Sequence, residues 1–170
     1  EAYAEFSDKA SAVTLLAKYP NLVVIRTMSK AFAFAGARLG YLVANKELVS
    51  AMFLVRLPYH LSSLTQAAAE VALQYQSELL GNVSTLIQAR KSVAAAIEKL
   101  GLHVIPSQAN FILFSGFPME PAQLWRQLLD RGVLIRDVGL LAHLRMTIGS
   151  EAENQKFIQA LQEILNGEGQ

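Results

Sequence analysis

Cysteine is absent from this 170-residue chain, which excludes disulfides, thiolate metal sites and thiol catalysis and agrees with a reducing cytosol. An excess of either charge is lacking too. The 15 Lys and Arg residues nearly balance the 14 Asp and Glu, and they are scattered, so the clustered cations that grip a nucleic-acid backbone are missing. Any anion site must be local. No apolar run suits a membrane span, because the longest stretch free of charged side chains, Leu100 to Met119, is broken by Pro106, Ser107, Gln108, Asn110, Gly116 and Pro118. His60, His103 and His143 lack the spacing and the neighbouring carboxylates of a metal site and read as structural or exposed. The chain does not open on Met, and no signal peptide is visible in it. The opening Glu1-Ala2-Tyr3 reads as the exit of a strand, and the expectation is a fragment of a longer protein.

What is present is apolar material, 52% of residues, enough for one or two packed cores of a soluble globular protein. Residues 22–27 are a β-branched run with little alternation, which predicts a strand buried on both faces of an α/β sheet. Leu39–Ala44 predicts a second. The short connection between them makes an antiparallel neighbour the better expectation. Ser63-Leu64-Thr65-Gln66 reads as a capping box that opens a long Ala-rich helical region, stopped by Gly101. An α+β pattern follows: strands His103–Ile105 and Phe111–Phe114, a helix from Pro121 to Arg131 ended by Gly132, and strands Val133–Arg136 and His143–Ile148. A last helix carries a Ser150/Glu153 capping box and a stripe of Phe157, Ile158, Leu161, Ile164 and Leu165. The expected parts are 1–62, a partial α/β domain; 63–100, a helical connection; and 101–170, a small α+β domain. Trp125, among Leu124, Leu128 and Leu129, reads as a core residue.

Lys30 is the candidate for chemistry. It follows the end of the first strand, in Thr27-Met28-Ser29-Lys30-Ala31-Phe32, where apolar Met28, Phe32 and Phe34 would desolvate the amine and lower its pKa. A Gly36-Ala37-Arg38 turn can return a guanidinium toward the same end of the sheet, Ser29 adds a hydroxyl, and Tyr3 can place a phenol in the same crevice. These groups suggest a Schiff base beside a phosphate. The plainer alternatives are a solvated lysine and a strand-edge tyrosine. Arg136 and Arg145, on neighbouring strands in an apolar setting, point to an anionic ligand, or to an ion pair such as Arg136 with Asp137.

These residues also carry a resemblance. Glu1-Ala2-Tyr3, Thr27–Phe32, Ala35-Gly36-Ala37-Arg38-Leu39-Gly40, Arg56-Leu57-Pro58-Tyr59-His60-Leu61-Ser62, Pro106–Phe111, Arg131–Asp137 and Leu144–Gly149 are similar, in order, to the C-terminal part of the fold-type-I pyridoxal-phosphate aminotransferases. The resemblance implies an α/β fold made of part of that family's large-domain sheet plus its smaller α+β domain. It implies pyridoxal 5'-phosphate as cofactor, with Lys30 as covalent anchor and proton-moving base, Tyr3 on the ring oxygen, and Ser29 and Arg38 on the phosphate. Arg145, with Arg136 as a second donor, would bind the terminal anion of the substrates, a phosphorylated amino alcohol and glutamate or 2-oxoglutarate. A cytoplasmic homodimer is implied as well.

The Arg56–His60 block leans toward the branch that acts on histidinol phosphate. An aromatic-amino-acid branch, a decarboxylase of phosphorylated amino acids and a noncatalytic module remain open. The family's aspartate that pairs the pyridinium nitrogen would precede Glu1, so the 170 residues alone are expected to be inactive.

Overall fold

The computed structural model describes residues 1–167, and the last three positions of the C-terminal part lie outside the described residues. The chain divides into two compact units, Glu1–Ser84 and Thr85–Gln170. The first opens with short 3-10 turns at Ala4–Phe6 and Ala12–Leu15. Strands β1 (Val23–Thr27) and β2 (Gly40–Ala44) then form an antiparallel ribbon, followed by helix α1 (Lys46–Val55), which the sequence reading passed over, and helix α2 (Ser63–Gln74). Antiparallel pairing agrees with the short connection. Burial on both faces does not hold: Val24 is buried, but Ile25 is 67% exposed, because two strands cannot cover both faces of a sheet.

Gly40 is required by this ribbon. A Cβ there would lie 2.8 Å from the Arg26 carbonyl oxygen, closer than any side chain tolerates. Helix α2 is capped by Ser62, whose hydroxyl accepts from the Thr65 N–H at 3.1 Å; Ser63, the expected cap, is already helical, whereas Ser62 has the extended backbone a cap needs. The helical region is also not continuous: it breaks at Tyr75, and helix α3 runs from Gln76 to Lys99.

The second unit is a four-stranded antiparallel sheet with the order β3 (His103–Ile105), β4 (Phe111–Ser115), β6 (His143–Thr147), β5 (Arg136–Asp137). Alternation along β4 and β6 sends Ile112, Phe114, Leu144 and Met146 to one face. There they join Leu124 and Leu128 of helix α4 (Pro121–Asp130), Phe157, Leu161 and Ile164 of helix α5 (Glu151–Leu165), and Ile97 of α3 in one core. Gly101 and Gly132, both with positive φ, end α3 and α4; the N–H groups of Leu102 and Val133 reach back to the carbonyls of Ile97 and Leu128. The Ser150/Glu153 capping box forms as expected.

One strand is shorter than expected. β5 covers only Arg136–Asp137 rather than Val133–Arg136, because Val133 and Ile135 turn into the core and the Ile135 carbonyl accepts the Trp125 indole N–H at 2.9 Å. No helix among the described residues is long and apolar enough to cross a membrane.

Candidate functional site

The ribbon delivers both ends of one loop to the same place. Thr27 and Gly40 are its last rung, and the Met28 N–H bonds the Leu39 carbonyl at 3.1 Å, so residues 28–39 close over that end. Within the loop the Phe34 N–H bonds the Met28 carbonyl and the Ala33 N–H bonds that of Lys30, while Ala33 and Arg38 take positive φ. Met28, Ala31 and Phe32 are buried, and this seats the loop with Ser29 and Lys30 half exposed between them.

The Lys30 amine stands over the Tyr3 ring, 5.7 Å from its centroid. A phenol and an amine far apart in sequence are therefore neighbours in space. The Ser29 hydroxyl accepts from the Thr27 hydroxyl at 2.9 Å, and the Ser29 N–H returns a bond to the Thr27 oxygen. Thr27, unassigned from sequence, thereby orients Ser29. Arg38 comes back to the same end of the ribbon; its guanidinium is exposed and donates to the Ala35 carbonyl at 2.9 Å, so the cation is held within its own turn.

Beside this cluster lies a second network that local sequence patterns do not reveal. The Glu1 carboxylate accepts from the Ala12 N–H, the Ser11 hydroxyl and the Arg26 guanidinium, which together hold it below the ordinary carboxylate range, the Ala12 bond contributing most. Arg26 is raised in turn, chiefly by its bond to Glu1.

In the second unit, Arg136 and Arg145 are direct cross-strand partners on β5 and β6 and so project from the same face, opposite the core. Arg145 lies 4.9 Å over the Phe111 ring, and its buried Nε has no hydrogen-bond partner. The alternative of an Arg136–Asp137 ion pair does not form: Asp137 accepts the Gly139 N–H at 2.8 Å, and the ion pairs among the described residues leave both arginines out. Two cations side by side without an acidic partner are an arrangement that an anion could satisfy. Phe111 went unassigned from sequence; it lies two residues before Leu113, the cross-strand partner of Arg145, and so shares that face and sits under the guanidinium. Its segment is fixed by the Arg90 guanidinium on the Ala109 carbonyl and by the Ser107 hydroxyl on its own carbonyl.

His143 bonds the Leu141 carbonyl at 2.7 Å, His60 and His103 are exposed, and no metal-holding group occurs among the described residues. Trp125 is partly buried against the core, as its setting suggested.

An amine backed by a phenol, with hydroxyls and a guanidinium beyond a strand end, is a donor set for an aldehyde that carries a phosphate. The sequence profile of the family described as aminotransferase class I and II matches residues 1–161, and the chain belongs to that family. Within it, the chain is 59% identical over 165 residues to the histidinol-phosphate aminotransferase of Rhodococcus opacus, covering 96% of this chain and 43% of that protein. The crystal structure of the Clostridium acetobutylicum histidinol-phosphate aminotransferase superposes with a TM-score of 0.88 at 28% identity, over 98% of this chain and 53% of that one. That of Sinorhizobium meliloti, in complex with pyridoxal-5'-phosphate, gives 0.81 at 28% identity, over 99% and 48%. The chain thus spans about half the length of the relatives it matches. Its fold is that of the matching part of an aminotransferase, α/β with two separate sheets.

Proposed function

We propose that these residues serve a pyridoxal-phosphate-dependent aminotransferase of histidine biosynthesis, which moves an amino group between histidinol phosphate and 2-oxoglutarate or glutamate. The observation that carries the reading is the Lys30 amine set 5.7 Å from the Tyr3 ring, at the strand end that also holds Ser29 and Arg38. The donor set fits the cofactor: an amine for its aldehyde carbon, a phenol for its ring oxygen, and a hydroxyl and a guanidinium for its phosphate. When bound, pyridoxal phosphate supplies an electron sink for the bond broken at the substrate's Cα.

The chain's own residues do the rest. Lys30 would hold the cofactor through its Nζ, and the same amine would move the proton at the substrate's Cα. The Tyr3 hydroxyl would donate a hydrogen bond to the ring oxygen. Ser29, held by Thr27, and Arg38 bind the phosphate. Arg145 and Arg136 bind the terminal anion of the substrate; a guanidinium fork accepts phosphate or carboxylate, so one pair serves both halves of a ping-pong cycle.

In this reading residues 1–62 form part of the cofactor-binding domain, 63–100 a helical connection and 101–170 the small domain. The active form is a cytoplasmic homodimer of the relatives' length, and the 170 residues alone do not turn over.

The test is an absorbance scan with pyridoxal phosphate, run on this chain and on a chain completed to the relatives' length with the missing part of the Rhodococcus opacus protein. The expected result is a band of lysine-bound cofactor in the completed chain that is lost in Lys30→Ala and that histidinol phosphate shifts. A shift with phenylalanine instead would assign the aromatic substrates. No Lys30-dependent band in either protein would end the reading and leave a noncatalytic module.

A further inference from the structure

Arg26 has no task in the chemistry above, yet it is the most heavily engaged cation of the first unit. It sits on β1 just ahead of the Lys30 loop. Its Nε and one terminal nitrogen donate to the Glu1 carboxylate at 3.2 and 2.9 Å, and the same terminal nitrogen donates to the Ser11 hydroxyl at 2.8 Å. The other terminal nitrogen lies 3.6 Å from the Glu5 carboxylate. Glu1 and Glu5 stand on either side of Tyr3 in the chain. After Tyr3 the backbone turns tightly through Glu5, the Phe6 N–H bonding the Tyr3 carbonyl at 3.0 Å and the Phe6 side chain buried. The Glu1 nitrogen adds a bond to the Ile25 carbonyl at 2.8 Å, which lays the start of the segment along β1.

One guanidinium therefore ties down both flanks of the segment that carries the phenol. Arg26 also engages the side chain of its cross-strand partner Tyr41, but the rungs of the β1–β2 ladder are backbone bonds and do not depend on the two carboxylates. An ion pair at a surface contributes little stability as a rule, whereas this one closes a geometry: carboxylate, phenol and carboxylate on one side, guanidinium and amine on the other. We propose that Arg26 is a positioning residue, which grips Glu1 and Glu5 and so fixes the Tyr3 phenol against the Lys30 amine. The proposal rests on the roles given above to Tyr3 and Lys30. Lysine cannot substitute, because an ammonium lacks the fork that reaches two carboxylates at once.

The experiment uses the 170-residue chain labelled with ¹³C-lysine, in which the Cε resonance of Lys30 senses the ring current of Tyr3. Tyr3→Leu calibrates the displacement. Arg26→Lys is expected to move the Lys30 resonance most of the way to its Tyr3→Leu position while the amide signals of Val24 and Val43 report an intact ribbon, and to add nothing further in a Tyr3→Leu background. If Arg26→Lys disturbs the ribbon, the double variant Glu1→Gln/Glu5→Gln, which keeps the guanidinium, decides in the same way. A Lys30 resonance that stays at its original position in these variants overturns the proposal.

A second readout separates it from the reading on which it rests. Pyridoxal phosphate is reduced onto lysines with borohydride and located by peptide mapping. The expected result is a severalfold drop in the fraction trapped at Lys30, in Tyr3→Leu and Arg26→Lys alike. Trapping at Lys30 that Tyr3→Leu leaves unchanged removes the role assigned to Tyr3, and the proposal with it. A drop in Tyr3→Leu without one in Arg26→Lys removes only the role of Arg26.

Discussion

Arg145→Met is expected to stabilise the second unit, and this is the opposite of what replacing a structural arginine does. Three terms set the magnitude. A buried donor without a partner, here Nε, costs about 1–3 kcal/mol. Like charges directly opposite on neighbouring strands, here Arg136 and Arg145, cost roughly 0.2–1 kcal/mol. Against these stands the guanidinium over Phe111, worth about 0.5–1 kcal/mol, or about 2 when desolvated. Methionine keeps most of the apolar stem over the ring, so the packing loss is small. The balance favours the variant by about 1 kcal/mol, equivalent to about 4–8 °C in the melting temperature of a unit this size.

The sole tryptophan, Trp125, is bonded to the Ile135 carbonyl within that unit, so its fluorescence follows urea unfolding of the unit without labelling. Inorganic phosphate adds a second arm, since a ligand that binds only the folded state raises stability by mass action. Phosphate should raise the unfolding midpoint of the original chain and leave that of Arg145→Met where it was. A lower midpoint for Arg145→Met without phosphate would show that the arginine holds the sheet together, and the anion site would lose its physical basis.

Asn154 is buried, and its amide brackets Gly149, accepting from the N–H and donating to the carbonyl, both at 3.0 Å. Asn154→Ala leaves both backbone groups short of a partner and should cost about 2–3 kcal/mol, read from the same Trp125 transition; a loss below about 0.5 kcal/mol would mean that water replaces the amide. Glu153, whose pKa the Ser150 hydroxyl and N–H hold below its ordinary value, stabilises the folded chain fully above the unfolded carboxylate range and ceases to do so as pH falls through its lowered folded value. Glu153→Gln should therefore lower the unfolding midpoint at pH 7, with the difference closing as the pH falls below the lowered value. An equal difference at both ends of the range would assign the effect to hydrogen bonding alone.

The second unit was largely legible in the sequence because its signals are local. Ile112 and Phe114 alternate, Leu144 and Met146 alternate, and Ser150 with Glu153 spells out a helix start; each signal lies within a few residues of what it specifies. The errors lie where a distant group intervenes. β5 loses Val133–Ile135 to a bond from Trp125, and Asn45, at the N-cap position of α1, makes no capping bond, its amide donating to the Pro20 carbonyl instead. Nor does α1 bury any residue that would impose a helical stripe; Leu54 and Val55 are both exposed. The candidate site divides in the same way. Ser29, Lys30 and Arg38 were readable from one loop, whereas the grip of Arg26 on Glu1 and Glu5 joins segments too far apart for any spacing rule to reveal.

Arg26 and Arg145 show why residue type alone could not sort these roles. Both are arginines within short strands, both are partly buried, and both interrupt apolar runs. Arg26 is bonded to Glu1 and Ser11 and lies near Glu5, and these partners belong to the fold itself, so removing it should loosen the geometry it closes. Arg145 has an aromatic ring beneath it, a second arginine beside it and an orphaned Nε, so the folded chain alone leaves its charge unanswered. A buried charge that the fold does not satisfy is tolerated when a ligand satisfies it. The sign of the stability change on substitution therefore separates the two roles: loss at Arg26, gain at Arg145 until phosphate is added. A gain at Arg26 or a loss at Arg145 would reverse the assignment for that residue, whatever the effect on turnover.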